Sequence, residues 1–534
     1  MSTGNPLREA LEAGRFCYVV ELVASRLTRE AKLLDVASQL ARVPGVVAGS
    51  ITSYAGGAIG HDPIRVGTAA RARGLTPNIH LTCVNRSVQA AEQALEDLHA
   101  LGIENVFALS GDYPKAPPPK PGQPPPPAQA APVFDLDSVQ LTRMMNDLRR
   151  SGLPFWIGVA VSPFKYTEAD CMYQYLKLEK KFAAGADYGI TQLGFDARKF
   201  RELIVYLKER GIRKPVLGNV YVLGAKAAEK MSKGEPPGCW TAPELVAKIQ
   251  EESKAADKGL AARLERAARM VAVVRGLGYA GAYIGGDHNA EHIRWIIKRS
   301  EAIADRWEEF AEELNHGEKN GFYLYAQQPA PRPEAQENAP RQVTPTPKNR
   351  GVLPALMDAM GKALPVTRDT PLRRLLTSVF RAIDRHPGEA HALERLEYVV
   401  KRPLFGCEAC GNCVLGHMEY VCPQTCPKHM RNGPCGGTFN GRCEVVDKPC
   451  IWVAVYDHAA AANRVGDLNT FIPPPDRALT GTSSWINYFL ERDNRPGNEH
   501  ALVTIHAAPP AGGTSQPAAV AAGKEDPASQ HVSR

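Results

Sequence analysis

Eight short apolar runs, each followed by a stretch of helical periodicity, constrain this chain more than any other feature. They are Phe16–Val23, Gly45–Ser53, Asn78–Cys83, Asn105–Gly111, Phe155–Val161, Tyr188–Phe195, Pro215–Leu223 and Gly281–Gly286. Runs of this length read as strands. The segments between them, such as "SVQAAEQALEDLHALG" and "YLKLEKKFAAGA", repeat apolar residues at i, i+3 and i+4 and read as helices. Strand and helix alternating eight times over about 300 residues fit an α/β fold, a (β/α)8 TIM barrel. A doubly wound open sheet is the alternative that the same alternation allows.

The barrel is expected to occupy residues 1–326. Within it, "KAPPPKPGQPPPPAQAAP" (115–132) is a polyproline-like excursion that leaves the C-terminal end of the fourth strand. It is either an inert insertion or a lid. A second insertion, from about Gly224 to Leu260, carries a loop and then a helix. A Pro-rich linker spans 327–351. A smaller domain, helical and then cysteine-rich, spans 352–506, and an Ala/Pro/Gly/Ser-rich tail expected to be disordered spans 507–534.

The N-terminus lacks the apolar core of a signal peptide, and no run of about 18 apolar residues predicts a membrane helix. The expectation is a cytoplasmic protein. Net charge is +7, with lysine and arginine scattered among acids, which argues against a nucleic-acid partner.

Barrels of this kind do their chemistry where the strands end. Polar residues at those ends are Glu21, Thr52, His80, Asp112 and Gln192, on the first, second, third, fourth and sixth strands. Each alone has an ordinary structural role available to it. Together they would converge on one mouth. A glutamic acid set among apolar residues keeps its proton to higher pH and can donate it, whereas an aspartate in a wetter position stays ionised. Such a pair is a candidate acid/base couple.

In order along the chain, "VEL", "SITSYAGG", "NIHLTCVNRS", "ALSGDYP" and "AGADYGITQLGFD" resemble the successive motifs of the methylenetetrahydrofolate reductase family, over roughly residues 15–310. The resemblance implies a flavin-binding barrel that interconverts 5,10-methylenetetrahydrofolate and 5-methyltetrahydrofolate. It implies FAD in preference to FMN, NAD(P)H or a protein as electron donor, a tetrahydrofolate substrate and a homo-oligomer. By the same resemblance, Glu21 protonates the folate N10 so that the five-membered ring opens. Asp112 lies beside flavin and pterin, and Gln192 contacts folate. Thr52 and His80 line the flavin, and Lys181 touches its phosphate or ribityl side. Three flavin positions depart from the family pattern, where this chain has Ser110, Ser162 and Gln174. A folate one-carbon enzyme working without flavin is therefore the alternative reading.

Eight of the twelve cysteines fall between residues 407 and 450: Cys407, Cys410, Cys413, Cys422, Cys426, Cys435, Cys443 and Cys450. In a reducing compartment such density predicts metal ligation. The opening C-x2-C-x2-C and the C-P pairs are similar to ferredoxin-like ligation of a [4Fe–4S] cluster. Four thiolates also satisfy zinc, and eight ligands could serve two centres. His417 and His429 are further candidates. "LFGCEACGNC" and "CPQTCPKHMRNGPCGG" also resemble a C-terminal domain fused to some members of the same family. That domain would be either a structural staple or an electron port. A zinc-binding regulatory module is the remaining alternative, and the nearly balanced charge around the cysteines disfavours it.

Overall fold

The structure, a computed structural model, describes residues 4–24, 29–53, 60–114, 131–326, 348–364 and 366–503. Almost all of the Pro-rich insertion, most of the linker and the tail lie outside the described residues.

The eight apolar runs form eight strands: β1 (Cys17–Leu22), β2 (Val46–Ile51), β3 (Pro77–Thr82), β4 (Asn105–Leu109), β5 (Trp156–Val161), β6 (Tyr188–Thr191), β7 (Val216–Tyr221) and β8 (Gly281–Gly285). They pair in sequence order, and β8 pairs in parallel with β1, Cys17 opposite Gly281 and Val20 opposite Ile284. The sheet is a closed barrel, which removes the open-sheet alternative.

Two apolar layers build it. Outside, strand residues such as Val20, Ile79, Val106 and Ile157 pack against the surrounding helices in one large core. Inside, Val19, Ala48, Phe107, Tyr188 and Leu217 meet Leu7 and Leu11 of the helix Pro6–Glu12, which closes the N-terminal end. Above that plug the barrel axis turns polar. Tyr188 OH donates to Asn78 Oδ1 at 3.0 Å, Asn78 Nδ2 donates to Ser50 Oγ at 3.1 Å, and Ser50 Oγ lies 2.8 Å from His80 Nε2. This chain of bonds satisfies groups that burial would otherwise penalise, and it fixes the histidine ring at the foot of the mouth.

Helix starts follow side-chain capping. Asp137 caps Ser138–Arg150 in a capping box with Gln140, Thr167 caps Glu168–Ala183, and Asp196 caps Ala197–Glu209. The insertion after β7 forms two helices, Ala225–Ser232 and Pro243–Glu252, with the loop between them over the barrel mouth.

The C-terminal region begins with helices Val352–Ala363, Pro371–Asp384 and Pro387–Phe405. Little regular structure follows until Ile451–Ala461. This region shares a core with the barrel. Val84, Phe134, Tyr173 and Leu176 pack with Met418, Met430, Trp452 and Val455, and the Tyr173 and Trp452 rings meet edge-to-face at 5.1 Å. The helix Glu168–Ala183 is consequently buried on nearly every side, its Lys177, Lys180 and Lys181 included. No helix among the described residues is long and apolar enough to cross a membrane.

Candidate functional site

A cavity of about 250 Å³ opens at the C-terminal end of the strands. Glu21, Thr52, His80, Asp112, Lys181 and Gln192 all line it, so the strand-end residues singled out in the sequence do meet in one place. Glu21 comes from β1. Among the described residues it has one hydrogen bond, from the Gly286 amide to Oε2 at 3.3 Å. Burial raises its pKa above the ordinary carboxylate value, and the Gly286 amide only partly opposes this. His80 is held down to about 3 by burial and is therefore neutral at working pH. Lys181 is pushed down to about 7 by burial, aided by Lys177, and its Nζ donates to the Ala160 carbonyl at 2.6 Å. Gln192 Oε1 accepts from the Leu193 amide at 2.9 Å, which fixes the amide plane.

Several cavity residues were not read from the sequence as belonging to the barrel mouth. Asn219 is a polar residue inside the apolar β7 run and could have been found by applying the strand-end rule there. Cys239, Lys428, Cys435 and Glu444 could not, because chain segments far apart in sequence bring them to the mouth.

The cysteine-rich segment forms one wall. Lys177 Nζ donates to the carbonyls of Gly433 at 3.2 Å and Pro434 at 2.9 Å, and Gln174 Nε2 donates to that of Cys435 at 3.2 Å. Lys165 Nζ reaches the carbonyls of Gly436, at 2.8 Å, and Thr438. Asp137 Oδ2 accepts from the amides of Arg431 and Asn432 at 3.2 and 2.9 Å. Trp240, from the β7 insertion, stacks on Phe439 at 6.0 Å.

Among the described residues, the cavity-lining Thr82, Ser162 and Asn219 each leave a buried oxygen without a hydrogen-bond partner. Unpaired buried polar atoms are uncommon in native proteins. Three around one cavity suit a ligand with donors and acceptors along its edge, and a flavin ring has such an edge. The residues present therefore fit the group that the resemblance implies.

The eight clustered cysteines carry free thiols and separate into two sets. Cys407, Cys410, Cys413 and Cys422 line a second, small cavity beside Lys401, whose Nζ is 3.7 Å from Cys413 Sγ. Cys426, Cys435, Cys443 and Cys450 influence one another electrostatically and lie toward the barrel, where Cys435 reaches the mouth. As they stand, no group of three or more His, Cys, Asp or Glu side chains among the described residues is arranged to hold a metal ion. Neither His417 nor His429 lines either cavity.

Comparison with known proteins gives two family matches. Residues 6–270 match the family described as methylenetetrahydrofolate reductase, and residues 387–478 match the one described as methylene-tetrahydrofolate reductase C terminal. Among similar curated proteins, a Caenorhabditis elegans protein named "Probable methylenetetrahydrofolate reductase (NADPH)" is 28% identical over 30% of this chain and 22% of its own length. Methylenetetrahydrofolate reductase 2 of Saccharomyces cerevisiae is 28% identical over 30% of this chain and 26% of its own. A 5,10-methylenetetrahydrofolate reductase of Pectobacterium carotovorum is 30% identical over 24% of this chain and 37% of its own. The chain thus spans about a quarter of the length of the first two relatives.

Proposed function

The chain belongs to the methylenetetrahydrofolate reductase family, and on that premise we propose that it reduces 5,10-methylenetetrahydrofolate to 5-methyltetrahydrofolate or runs the reverse reaction. The observation that carries this reading is the position of Glu21 in one cavity with Thr52, His80, Asp112, Lys181 and Gln192. Burial lets Glu21 keep its proton to higher pH than an exposed glutamate does, and it is the group that protonates the folate N10. Protonation opens the imidazolidine ring and makes the bridging carbon electrophilic. Asp112 and Gln192 bind the pterin. Thr52, His80, Asp112 and Lys181 would hold a flavin, FAD in preference to FMN, which supplies hydride chemistry when bound. His80 stays neutral there, and the Ala160 carbonyl keeps Lys181 in place.

The two cysteine sets are proposed to hold two metal centres, each [4Fe–4S] or zinc, in a cytoplasmic setting that keeps the thiols reduced. Electrons come from NAD(P)H or from a protein donor.

A second reading, a folate one-carbon enzyme without flavin, is favoured by one observation. Gln174, at a position where the family holds flavin, is bonded to the Cys435 carbonyl at 3.2 Å. The absorption spectrum of anaerobically purified protein, with iron, zinc and flavin analysis, separates the two. Flavin bands with turnover of methylenetetrahydrofolate support the first reading. A colourless, active preparation supports the second, and an inactive preparation with flavin and metals loaded overturns both.

A further inference from the structure

Lys428 belongs to the cysteine-rich region, yet its ammonium donates to the Gly111 carbonyl of the barrel at 2.8 Å. Gly111 directly precedes Asp112. Lys165 and Lys177 reach out from the barrel to carbonyls of the C-terminal segment, whereas Lys428 reaches inward. It also pairs with Glu444, and both side chains are almost wholly buried, at 2% and 3% exposure. Both line the cavity beside Asp112.

A buried ion pair is a poor way to hold two domains together, because desolvating both charges offsets much of their attraction and apolar residues serve as well or better. Its position against the Gly111–Asp112 loop is what the pair specifically provides. The loop is confined on its other side. Gly111 has φ +86°, and a Cβ there would lie 3.0 Å from Val84 Cγ1 and 3.1 Å from Thr82 Cβ. The end of β3 thus fixes one side of the loop and Lys428 the other.

We propose that Lys428, oriented by Glu444, is a positioning residue that sets the place of Asp112 in the active site, so that the site is completed by the cysteine-rich domain. This rests on the folate-reductase reading of the cavity. A charge-assisted bond to the carbonyl next to Asp112 leaves the loop few alternative positions, and losing it frees the carboxylate from the pterin.

The test uses the full-length chain with Lys428→Met, Lys428→Arg, Asp112→Asn and the Lys428→Met/Asp112→Asn pair. Lys428→Met lowers kcat/KM for methylenetetrahydrofolate about tenfold or more, and Lys428→Arg stays within about threefold of wild type. In the Asp112→Asn background Lys428→Met costs less than about twofold, because it acts through the group already removed. Amide exchange over Ser110–Tyr113 speeds up in Lys428→Met while iron and zinc content stay unchanged. Additive losses, unchanged exchange over that loop, or loss of metal in Lys428→Met would each overturn the proposal. If wild-type protein does not turn over the folate, the functional reading fails, and the exchange comparison still decides whether Lys428 holds the loop.

Discussion

The amide of Gly286 donates to Glu21 Oε2 at 3.3 Å, so the residue just after β8 holds the carboxyl group carried by β1. That bond stabilises the charged form, but burial outweighs it and the pKa stays raised. The folded chain therefore holds this proton more tightly than the unfolded chain does. The stability it contributes is present below the ordinary carboxylate value and is lost as pH rises through the raised one. Urea unfolding of wild type and Glu21→Gln across that window should show wild type losing stability relative to the variant as pH rises. A flat difference would contradict the assignment.

Gly285 tests how closely the acid is placed. A Cβ there would lie 2.8 Å from Glu21 Oε2 and would push the carboxyl aside. A misplacement of about 1 Å can cost about a hundredfold in rate. Gly285→Ala should slow the folate half-reaction about ten- to hundredfold, while thermal unfolding moves by the equivalent of only about 1–2 kcal/mol. Stopped-flow and calorimetry on the same preparation separate the two effects.

Lys165 is fully buried, and its Nζ is shared by the carbonyls of Gly436 and Thr438. Lys165→Met leaves both carbonyls without that donor, at a cost of about 1–3 kcal/mol each. The variant should unfold at lower temperature and be cleaved faster in the 431–444 segment under limited proteolysis. Unchanged melting would mean that the barrel and the cysteine-rich region do not depend on this contact.

The division of the cysteines predicts two independent losses of metal. Cys410→Ser should remove about half of the bound iron or zinc and leave folate affinity near wild type, since that set lies away from the mouth. Cys435→Ser should remove the other half and weaken folate binding, since Cys435 is part of the cavity wall. Loss of all metal from either variant would show a single centre.

The barrel was legible because its strands are short apolar runs whose type and order survive any detail of packing. Glu21, His80 and Gln192 were legible only as a set, because each alone has an ordinary structural role and what marks them is their recurrence at successive strand ends. The cysteine-rich region was legible as a dense cluster of thiols but not as geometry. Nothing in "CPKHMRNGPCGG" says that Lys428 will reach Gly111, because that contact joins residues 317 apart and depends on how two separately coded units dock. Lys177 and Gln174 illustrate the same limit. On a helix facing water they would read as surface residues, and they are buried because another region covers them.

The most direct test is a pair of half-reactions on the flavin-loaded Glu21→Gln variant, reduction by the donor and then oxidation by methylenetetrahydrofolate, followed in stopped flow. The account predicts that reduction by the donor stays within about threefold of wild type, while the folate step slows about 100- to 10,000-fold, as expected when a general acid is removed. A folate step at the wild-type rate would contradict it, because the proton for ring opening would then come from elsewhere.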